Sequence, residues 1–557
     1  MSEGISGINR ALNLIPKRAE SRQTERLRDT FVDSGVAAAL QSVDHQVLYG
    51  RRGTGKTHAL RYIETLAAAN GDLGVYVDLR QMGSPDGLFL GDEIPATERA
   101  ARLLVDLIGA IHDAVLEAAL EREDLLTDEM FVSRLDLLAS AISSVRIDGA
   151  VELSRENERK ASGKDSTSAK LALGVTSASL DLGSSNEESR EGRDLEKQTR
   201  KGIERRSLNF SQVAQALRAL AESISSRRIW LLLDEWIAIP PASQPYLAEF
   251  IVRTILPIQK FTVKFAAIEQ QTRFREQRKD GTFIGIELGA DVAANVDLDE
   301  FMVFEQNEER SRSFFRALMY KHLTSGAEDG AQVTGLDRQE DLIRIGFTDK
   351  RAFDELVRAA EGVPRDALNI AAKAALNAGS GKISVPSLRQ AARTWFQTDK
   401  ERAISDNDEA QRLLNWIIDN VIREKRTRGF LVNQREVGAG LIKALFDARV
   451  LHVVRRGYSA QDEPGERYDV YVIDYGAYVD LIHTKYEPLG LLVAASPNSE
   501  RFDTIDVPTQ DLRAIRRAVL RLDDFFDPLV RRELPPAQQR TASFMCAPLP
   551  PTLFDEQ

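Results

Sequence analysis

Cysteine is almost absent from this chain of 557 residues, which contains only Cys546. One cysteine excludes an internal disulfide and is typical of proteins kept in a reducing cytosol. A structural zinc site is not expected either, because such sites use clustered cysteine and histidine ligands. The six histidines are scattered along the chain without that spacing.

Long apolar runs are also missing. No uninterrupted apolar stretch approaches the ~20 residues that a helix needs to cross a bilayer. Residues 1–20 carry mixed charge and lack the apolar centre of a signal peptide. We therefore expect a cytoplasmic protein with no membrane contact.

Basic residues are in the minority, with 74 Lys and Arg against 85 Asp and Glu, for a formal net charge of −11. This balance argues against indiscriminate binding along nucleic acid, which requires many neutralised phosphates, but leaves room for a local basic face. The hydrophobic content of 43% indicates a folded protein with a sizeable core, and the length suggests three or four domains.

The most informative stretch is VLYGRRGTGKTHAL at residues 47–60. It satisfies the phosphate-loop pattern G-x-x-x-x-G-K-[ST], in which backbone N–H groups surround an anion, the lysine reaches the β- and γ-phosphates, and the hydroxyl binds Mg²⁺. A short strand at 45–49 precedes the loop and a helical pattern follows it up to Asn70, as this motif requires. The predicted ATP-binding positions are Gly50, Arg51, Arg52, Gly53, Thr54, Gly55, Lys56, Thr57 and His58.

An acidic strand end supplies the second half of a nucleotide site. Residues 227–237 read RRIWLLLDEWI, and the apolar run from 229 to 233 is typical of a central parallel strand that is buried on both faces. Ligands bind at the carboxyl ends of such strands. We expect Asp234 to bind Mg²⁺ together with Thr57, and Glu235 to activate the attacking water beside Lys56. The alternative is an acidic strand end that only meets solvent.

Further strands are predicted at 73–79 and 261–268, with a weaker one at 300–304. Because they alternate with helical patterns, an α/β fold with a parallel sheet is expected, with the nucleotide-binding core at 41–305. An N-terminal helical segment at 1–40 precedes this core.

Four stretches together, GRRGTGKT, LLLDEW, FTVKFAAIEQ and EGVPRDALNIAAKAA, resemble the AAA+ ATPases of the initiator clade, the origin-recognition-type ATPases and their bacterial relatives. The resemblance implies ATP and Mg²⁺ as cofactors and a helical lid at 306–400. It also implies that Arg365 faces the γ-phosphate and that subunits form a homo-oligomer with nucleotide sites between them. Arg365 is alternatively a solvated charge at a helix start.

Two features depart from that family pattern. The strand that usually ends in a polar sensor residue ends here in Ile268-Glu269-Gln270-Gln271, and Gln270 is our choice for the sensor. An arginine that completes a neighbour's site is expected after this strand. The candidates are Arg273, Arg275 and Arg278, and each is otherwise a surface charge.

The core contains a large insertion at about 99–205. Its first part, 99–145, is helical in pattern, and alternating apolar residues at 171–182 predict a β-hairpin. The hairpin would contact DNA, a neighbouring subunit or a partner, or would only cover the sheet.

Residues 401–490 are predicted as a winged-helix-like α+β domain, which the initiator clade carries at this place. Candidate recognition helix 440–450 is mostly apolar, with Lys443 and Arg449 as its cations, so DNA contact and protein packing both stay open. A helical segment at 491–534 and a disordered proline-rich tail at 535–557 follow. The other basic residues of the domain are Arg423, Lys425, Arg426, Arg428, Arg455 and Arg456.

The function expected from these features is an ATP hydrolase that switches assembly on double-stranded DNA or with partner proteins. Since no effector domain or strongly basic surface is recognisable, we favour a motor subunit in a bacterial multi-gene system such as phage defence, with a protein partner from the same gene cluster. The alternatives are a nucleotide-gated scaffold with little turnover and a DNA-binding regulator.

Overall fold

The computed structural model describes part of the chain. The described residues are 7–17, 24–82, 95–120, 129–143, 210–224, 227–301, 307–325, 333, 335–423, 427–459, 465–483 and 518–527. The predicted hairpin at 171–182 and the tail at 535–557 lie outside these residues.

A five-stranded parallel sheet forms the centre of the predicted nucleotide-binding core, with strand order β2-β3-β4-β1-β7. The predicted α/β core with a parallel sheet is therefore confirmed. Every residue of β1, β3 and β4 is buried, as expected for strands covered on both faces. The strands are β1 Gln46–Tyr49, β2 Leu73–Asp78, β3 Ile229–Asp234, β4 Phe261–Ala267 and β7 Ala293–Asp297.

The carboxyl ends of these strands meet at one edge of the sheet. Asp78 pairs in register with Asp234, and Tyr49 pairs with both Ala267 and Asp297. The phosphate loop after Tyr49 thus begins at the same edge of the sheet as Asp78, Asp234 and Asp297. This register, rather than any local sequence feature, brings the parts of the site together.

The weak strand predicted at 300–304 was wrong at Glu300 and Phe301, and residues 302–304 lie outside the described part of the chain. Glu300 and Phe301 belong to the short helix Leu298–Phe301, and the edge strand β7 precedes it. The Asp297 carboxylate accepts a hydrogen bond from the backbone N–H of Asp299 over 2.9 Å. This local side-chain bond ends the strand and starts the helix.

Helices pack against the sheet, and one helix of the insertion, Ala96–Leu120, contacts β2. The helical pattern at 99–145 corresponds to the helices Ala96–Leu120 and Glu129–Ser143. A two-stranded hairpin of β5 Arg275–Gln277 and β6 Phe283–Gly285 stands apart from the sheet and was not predicted. The remaining helices of this part are Gly7–Leu14, Thr24–Thr30, Ala37–Leu40, Lys56–Ala69, Phe210–Ser223 and Gln244–Thr254.

A helical region follows at 307–404. Asn307, Asp349 and Ser384 cap three of its helices through their side chains, which explains where those helices begin. The N-terminal helix Gly7–Leu14 packs here, since the Asn9 amide donates to the carbonyl oxygens of Gly379 and Gly381 over 2.8 and 2.9 Å. The helices are Glu308–Thr324, Asp341–Gly346, Lys350–Ala359, Pro364–Ala378 and Val385–Trp395, and the π-helical turn Phe396–Lys400 continues the last of them.

The C-terminal region (residues 408–483) contains a helix, a strand, a second helix, two strands and a third helix. β8 and β9 each pair antiparallel with β10. This mixture of helices and strands agrees with the predicted α+β domain, and its description as a winged helix stays a prediction. The elements are Asp408–Trp416 with the π-helical turn Ile417–Arg423, β8 Gly429–Asn433, helix Gly440–Asp447, β9 Leu451–Ser459, β10 Arg467–Ile473 and helix Tyr475–His483.

The helical prediction for 491–534 was wrong at Val519–Leu520. These residues form β11, which adds to β8 in parallel, with the Leu431 N–H donating to the Ala518 carbonyl over 2.7 Å. Only Leu522–Phe526 is helical among the described residues of this segment. The edge of β8 is open, so main-chain hydrogen bonds to a neighbouring strand are available there. These bonds favour a strand at Val519–Leu520 over the helix that the local pattern predicts.

One apolar core joins the helical region to the C-terminal region. Phe315 and Phe353 from the former lie in the same buried cluster as Phe446 and Tyr471 from the latter. Among the described residues, no helix combines the length and apolar character that a bilayer crossing requires.

Candidate functional site

The phosphate loop connects β1 to the helix Lys56–Ala69. Gly53 and Gly55 have φ of 90° and 103°, in the left-handed region that favours glycine. Gly55 occupies the N-cap position without a side-chain cap, so the first N–H groups of a 14-residue helix are left for an anion.

Lys56 is 9% exposed, and its ammonium group lies inside the loop. Nζ donates to the carbonyl oxygens of Gly50 and Arg51 over 2.7 and 3.0 Å. Burial lowers the pKa of Lys56, while the charges of Asp234, Asp299 and Glu235 oppose that change. A bound anion would supply the compensating charge that this buried amine partly lacks.

The acidic strand end lies beside the loop. Asp234 is fully buried; its Oδ1 accepts the Glu235 N–H over 2.8 Å and its Oδ2 accepts the Tyr76 hydroxyl over 2.7 Å. Glu235 has φ of 55°, which is uncommon for a residue with a Cβ and marks local strain. Its carboxylate lies 4.0 Å from the exposed Arg80 guanidinium.

Arg365 approaches the loop from the helical region. It lies in the first turn of the helix Pro364–Ala378, and its backbone N–H donates to the Gly53 carbonyl over 3.2 Å. A Cβ on Gly53 would stand 2.9 Å from the Arg365 Cβ, so only glycine permits this close approach.

These elements surround a cavity of about 350 Å³. Six of the predicted nucleotide-binding positions line it, together with Glu235 and Arg365; they are Arg52, Gly53, Gly55, Lys56, Thr57 and His58. The structure thus brings the phosphate loop, the acidic strand end and the arginine helix around one space.

Arg51 and Thr54 are predicted ATP-binding positions whose side chains make contacts within the protein. The Thr54 hydroxyl donates to the Arg51 carbonyl over 2.8 Å inside the loop. The Arg51 guanidinium forms an ion pair with Asp299 at 2.8 Å and lies over the Phe446 ring of the C-terminal region at 4.9 Å. The Arg51 side chain therefore serves an internal contact rather than the cavity.

The predicted sensor Gln270 lies in the short 3-10 turn Glu269–Gln271 after β4, and its side chain is outside the described residues. The three candidate trans-acting arginines are exposed and lie on or beside the β5–β6 hairpin. Arg275 forms an ion pair with Glu287 at 3.3 Å and covers the Phe283 ring at 3.9 Å.

Two basic residues of the C-terminal region, for which DNA contact and protein packing were both open, are used inside the protein. Arg428 is 4% exposed and forms an ion pair with Glu361. Arg449 is 9% exposed and pairs with Asp366 and Asp399, so the prediction that it is a cation on a recognition helix was wrong. Sequence alone could not show this, because the acidic partners lie far away in the chain.

Arg456 contacts the nucleotide-binding core, with Glu269 at 2.8 Å and Asp297 at 3.5 Å. Arg455 is exposed on the same strand. Lys425, Arg426 and the side chain of Arg423 are outside the described residues.

Sequence reasoning missed the residues that close the cavity opposite the loop. They come from the N-terminal segment (Pro16, Lys17 and Leu27) and the helical region (Leu318, His322, Pro364 and Leu368). The His58 ring lies within hydrogen-bond distance of the Leu27 carbonyl, at 2.7 Å, which ties the segment to the loop helix. Tyr76 and Arg80 could have been found from the sheet register, since both lie on or just after the strand that pairs with β3.

Comparison with protein families adds one finding. Residues 14–81 match the ORC-CDC6-like family model. The match covers the phosphate loop, β1 and β2, and it supports a relationship to initiator-type AAA+ ATPases. A comparison with curated proteins found no match to the chain.

Proposed function

We propose that this protein is an AAA+ ATPase that binds and hydrolyses ATP with Mg²⁺. The observation that carries the proposal is the cavity of about 350 Å³ where Lys56, Thr57, Glu235 and Arg365 face one another. Its volume lies within the range of small-molecule sites.

The lining fits a nucleoside triphosphate. The cations Lys17, Arg52, Lys56, Arg80 and Arg365 suit a polyanion, and their concentration in one cavity contrasts with the negative net charge of the chain. Leu27, Leu318 and Leu368 provide apolar surface of the kind that packs on a base.

Two residues suit a magnesium ion: Thr57, which lines the cavity, and Asp234, which is fully buried and is not among the lining residues. The Thr57 hydroxyl and the Asp234 carboxylate would hold it, and each Asp234 oxygen keeps lone-pair capacity beyond its one hydrogen bond. Within the described residues no group of three or more His, Cys, Asp or Glu could hold a metal by itself. This agrees with Mg²⁺, which is typically bound by one or two carboxylates together with substrate phosphates. When bound, the ion neutralises charge on the phosphates.

Hydrolysis requires a residue that orients water and a cation that balances developing charge. Glu235 lines the cavity, and its strained backbone conformation is of the kind that clusters at functional sites. In the proposal it accepts a proton from the attacking water. Lys56 and Arg365 stabilise the transferred phosphoryl group.

In the same proposal, ATP occupancy switches assembly of a homo-oligomer, with an arginine of the β5–β6 hairpin completing a neighbour's site. The exposed position of Arg273, Arg275 and Arg278 supports this arrangement. Assembly on double-stranded DNA or with a protein partner, and a role as motor subunit in phage defence, stay predictions from the sequence. The buried positions of Arg428 and Arg449 favour protein packing over DNA contact for the C-terminal region.

Phosphate release by the wild type, Lys56→Ala and Glu235→Gln tests the proposal, measured with and without DNA. We expect Lys56→Ala to bind ATP roughly 100-fold more weakly and to lose most of its phosphate release, and Glu235→Gln to bind ATP while its turnover falls roughly 100-fold. The control is Glu276→Gln, which removes an exposed carboxylate on the hairpin. Equal phosphate release by the wild type and Glu235→Gln would instead favour the nucleotide-gated scaffold.

A further inference from the structure

Arg51 connects the phosphate loop to the C-terminal region. Its backbone carbonyl accepts the Lys56 ammonium at 3.0 Å and the Thr54 hydroxyl at 2.8 Å. Its guanidinium Nη1 donates to His452 Nδ1 at 2.7 Å and to the Leu451 carbonyl at 3.4 Å. One residue therefore contacts the proposed phosphate-binding lysine at its main chain and β9 at its side chain.

Asp299 fixes the orientation of Arg51 by binding both its main chain and its side chain. Its Oδ2 accepts the Arg51 backbone N–H at 2.8 Å and its Oδ1 accepts the Arg51 Nε at 2.8 Å. Arg51 is only 2% exposed, so these contacts are largely shielded from water. A shielded two-point contact of this kind is stronger and more directional than a surface ion pair.

His452 passes the contact on to a buried charge cluster, which comprises Asp366, Asp399, Lys400, Arg449 and Asp474. Since the Arg51 guanidinium can only donate, His452 Nδ1 accepts, and Nε2–H donates to the Asp474 Oδ2 at 3.1 Å. Burial lowers the pKa of His452 to about 3, so the ring stays neutral and keeps this tautomer.

The cluster leads back to the other wall of the cavity. Lys400 lies 2.5 Å from Asp474 and 2.9 Å from Asp366, and Arg449 pairs with Asp366. Asp366 directly follows Arg365 in the helix Pro364–Ala378. The loop and the arginine helix, which both line the cavity, are thus both tied to the C-terminal region.

We propose that Arg51 is a positioning residue that couples nucleotide occupancy of the phosphate loop to docking of the C-terminal region through His452. The inference rests on the proposed nucleotide binding. Docking holds the Arg51 carbonyl, and with it the loop, in one arrangement. When the triphosphate binds, it draws Lys56 away from the Gly50 and Arg51 carbonyls. Because the loop is already held in one arrangement, it then loses less conformational freedom on binding. By thermodynamic reciprocity, nucleotide tightens docking to the same degree.

The test uses the full chain and equilibrium binding of a fluorescent ATP analogue with Mg²⁺. The variants are Arg51→Met, His452→Leu and the double variant, and the control is Arg455→Met, which removes an exposed cation from the same strand as His452. We expect each single variant to raise the Kd about tenfold. The double variant should be no weaker than either single one, since both act through one contact. Arg455→Met should bind as the wild type does.

Hydrogen exchange of the β9 amides provides a readout that a merely structural role would not move. In the wild type, nucleotide should slow exchange over Leu451–Ser459, and in Arg51→Met it should not. If Arg51→Met does not fold, His452→Leu decides the matter, because its side chain lies outside the cavity. Two results would contradict the proposed coupling. One is a Kd of His452→Leu within twofold of the wild-type value, and the other is hydrogen exchange of β9 in the wild type that does not change when nucleotide is added. A wild type that binds no nucleotide would instead contradict the proposed function itself.

Discussion

The backbone N–H of Arg365 donates a hydrogen bond to the carbonyl oxygen of Gly53 over 3.2 Å. This bond joins the phosphate loop to the helical region at the mouth of the cavity. It also explains how an arginine more than 300 positions from the loop reaches the same space. The positions of the two walls are therefore set by direct contact and not only by a shared ligand.

Gly53→Ala should disturb this contact. A Cβ at position 53 would lie 2.9 Å from the Arg365 Cβ and 3.1 Å from the Val363 Cγ1, at a φ of 90° that is unfavourable for alanine. We expect ATP affinity to fall about tenfold. Gly71→Ala is the matched control, because Gly71 has φ of 81° but no atom within 4 Å of the added Cβ. Both variants carry similar backbone strain, so equal affinities for ATP would show that the Arg365 contact does not matter.

Tyr76→Phe should raise the Mg²⁺ concentration that ATP binding requires. The Tyr76 hydroxyl donates to Asp234 over 2.7 Å, and burial raises its pKa, so it stays a donor at physiological pH. Without it the carboxylate loses a fixed orientation, and we expect several-fold more Mg²⁺ for half-maximal ATP binding. The cost in stability should be about 1 kcal/mol, which is typical of one lost hydrogen bond.

A magnesium titration of ATP binding checks this result. Tyr62→Phe serves as the control, because the Tyr62 ring stacks on Phe31 at 4.0 Å and phenylalanine keeps that contact. A titration curve for Tyr76→Phe that superimposes on that of the wild type would argue against a positioning role for the hydroxyl.

Stability should fall in acid because of His452. Its folded pKa is about 3 and its ordinary value is 6.5, so between these pH values the unfolded chain holds a proton that the folded chain does not. The free energy of unfolding therefore decreases as the pH falls through this window, by up to about 1.4 kcal/mol per pH unit from this one group. Burial and the neighbouring Arg51 charge keep the ring neutral by lowering its pKa, and His452→Leu should lack this component.

Urea unfolding followed by tryptophan fluorescence at several pH values between about 8 and 5 measures the effect. The wild type should be more stable than His452→Leu near pH 8, where its hydrogen bonds are intact. Its advantage should shrink on acidification below 6.5. A gap in unfolding free energy that does not change with pH would contradict the neutral, buried state of the ring.

Features that depend on residues adjacent in the chain could be predicted from the sequence. The phosphate loop is a contiguous motif, and the apolar run before Asp234 could only be a strand buried on both faces. The strand at 300–304 failed for a local reason, since the Asp297 side chain caps a short helix. The segment around Val519 failed because β8 offered an open edge, which no local pattern records.

The rest of the site depends on pairs that are distant in the chain. Arg449 looked like a surface cation because Asp366 precedes it by 83 positions, and Arg51 looked like a phosphate ligand although Asp299 and His452 hold its side chain. Charges separated in this way can be matched only when the packing of the elements is known. Sequence reasoning therefore located the chemical groups of the site but not the contacts that orient them.

The central claim is that one site binds a magnesium-bound triphosphate, with Lys56 contacting the phosphates and Asp234 contacting the magnesium ion. The most direct measurement is the Kd of ATP with and without Mg²⁺ for the wild type, Lys56→Ala and Asp234→Asn, with Lys279→Ala as an exposed cationic control. We predict a roughly 100-fold loss of affinity in Lys56→Ala, since a charge-assisted contact to phosphate is removed. In Asp234→Asn, magnesium should no longer improve binding. Affinity that is unchanged in Lys56→Ala, together with an undiminished effect of Mg²⁺ in Asp234→Asn, would contradict the account.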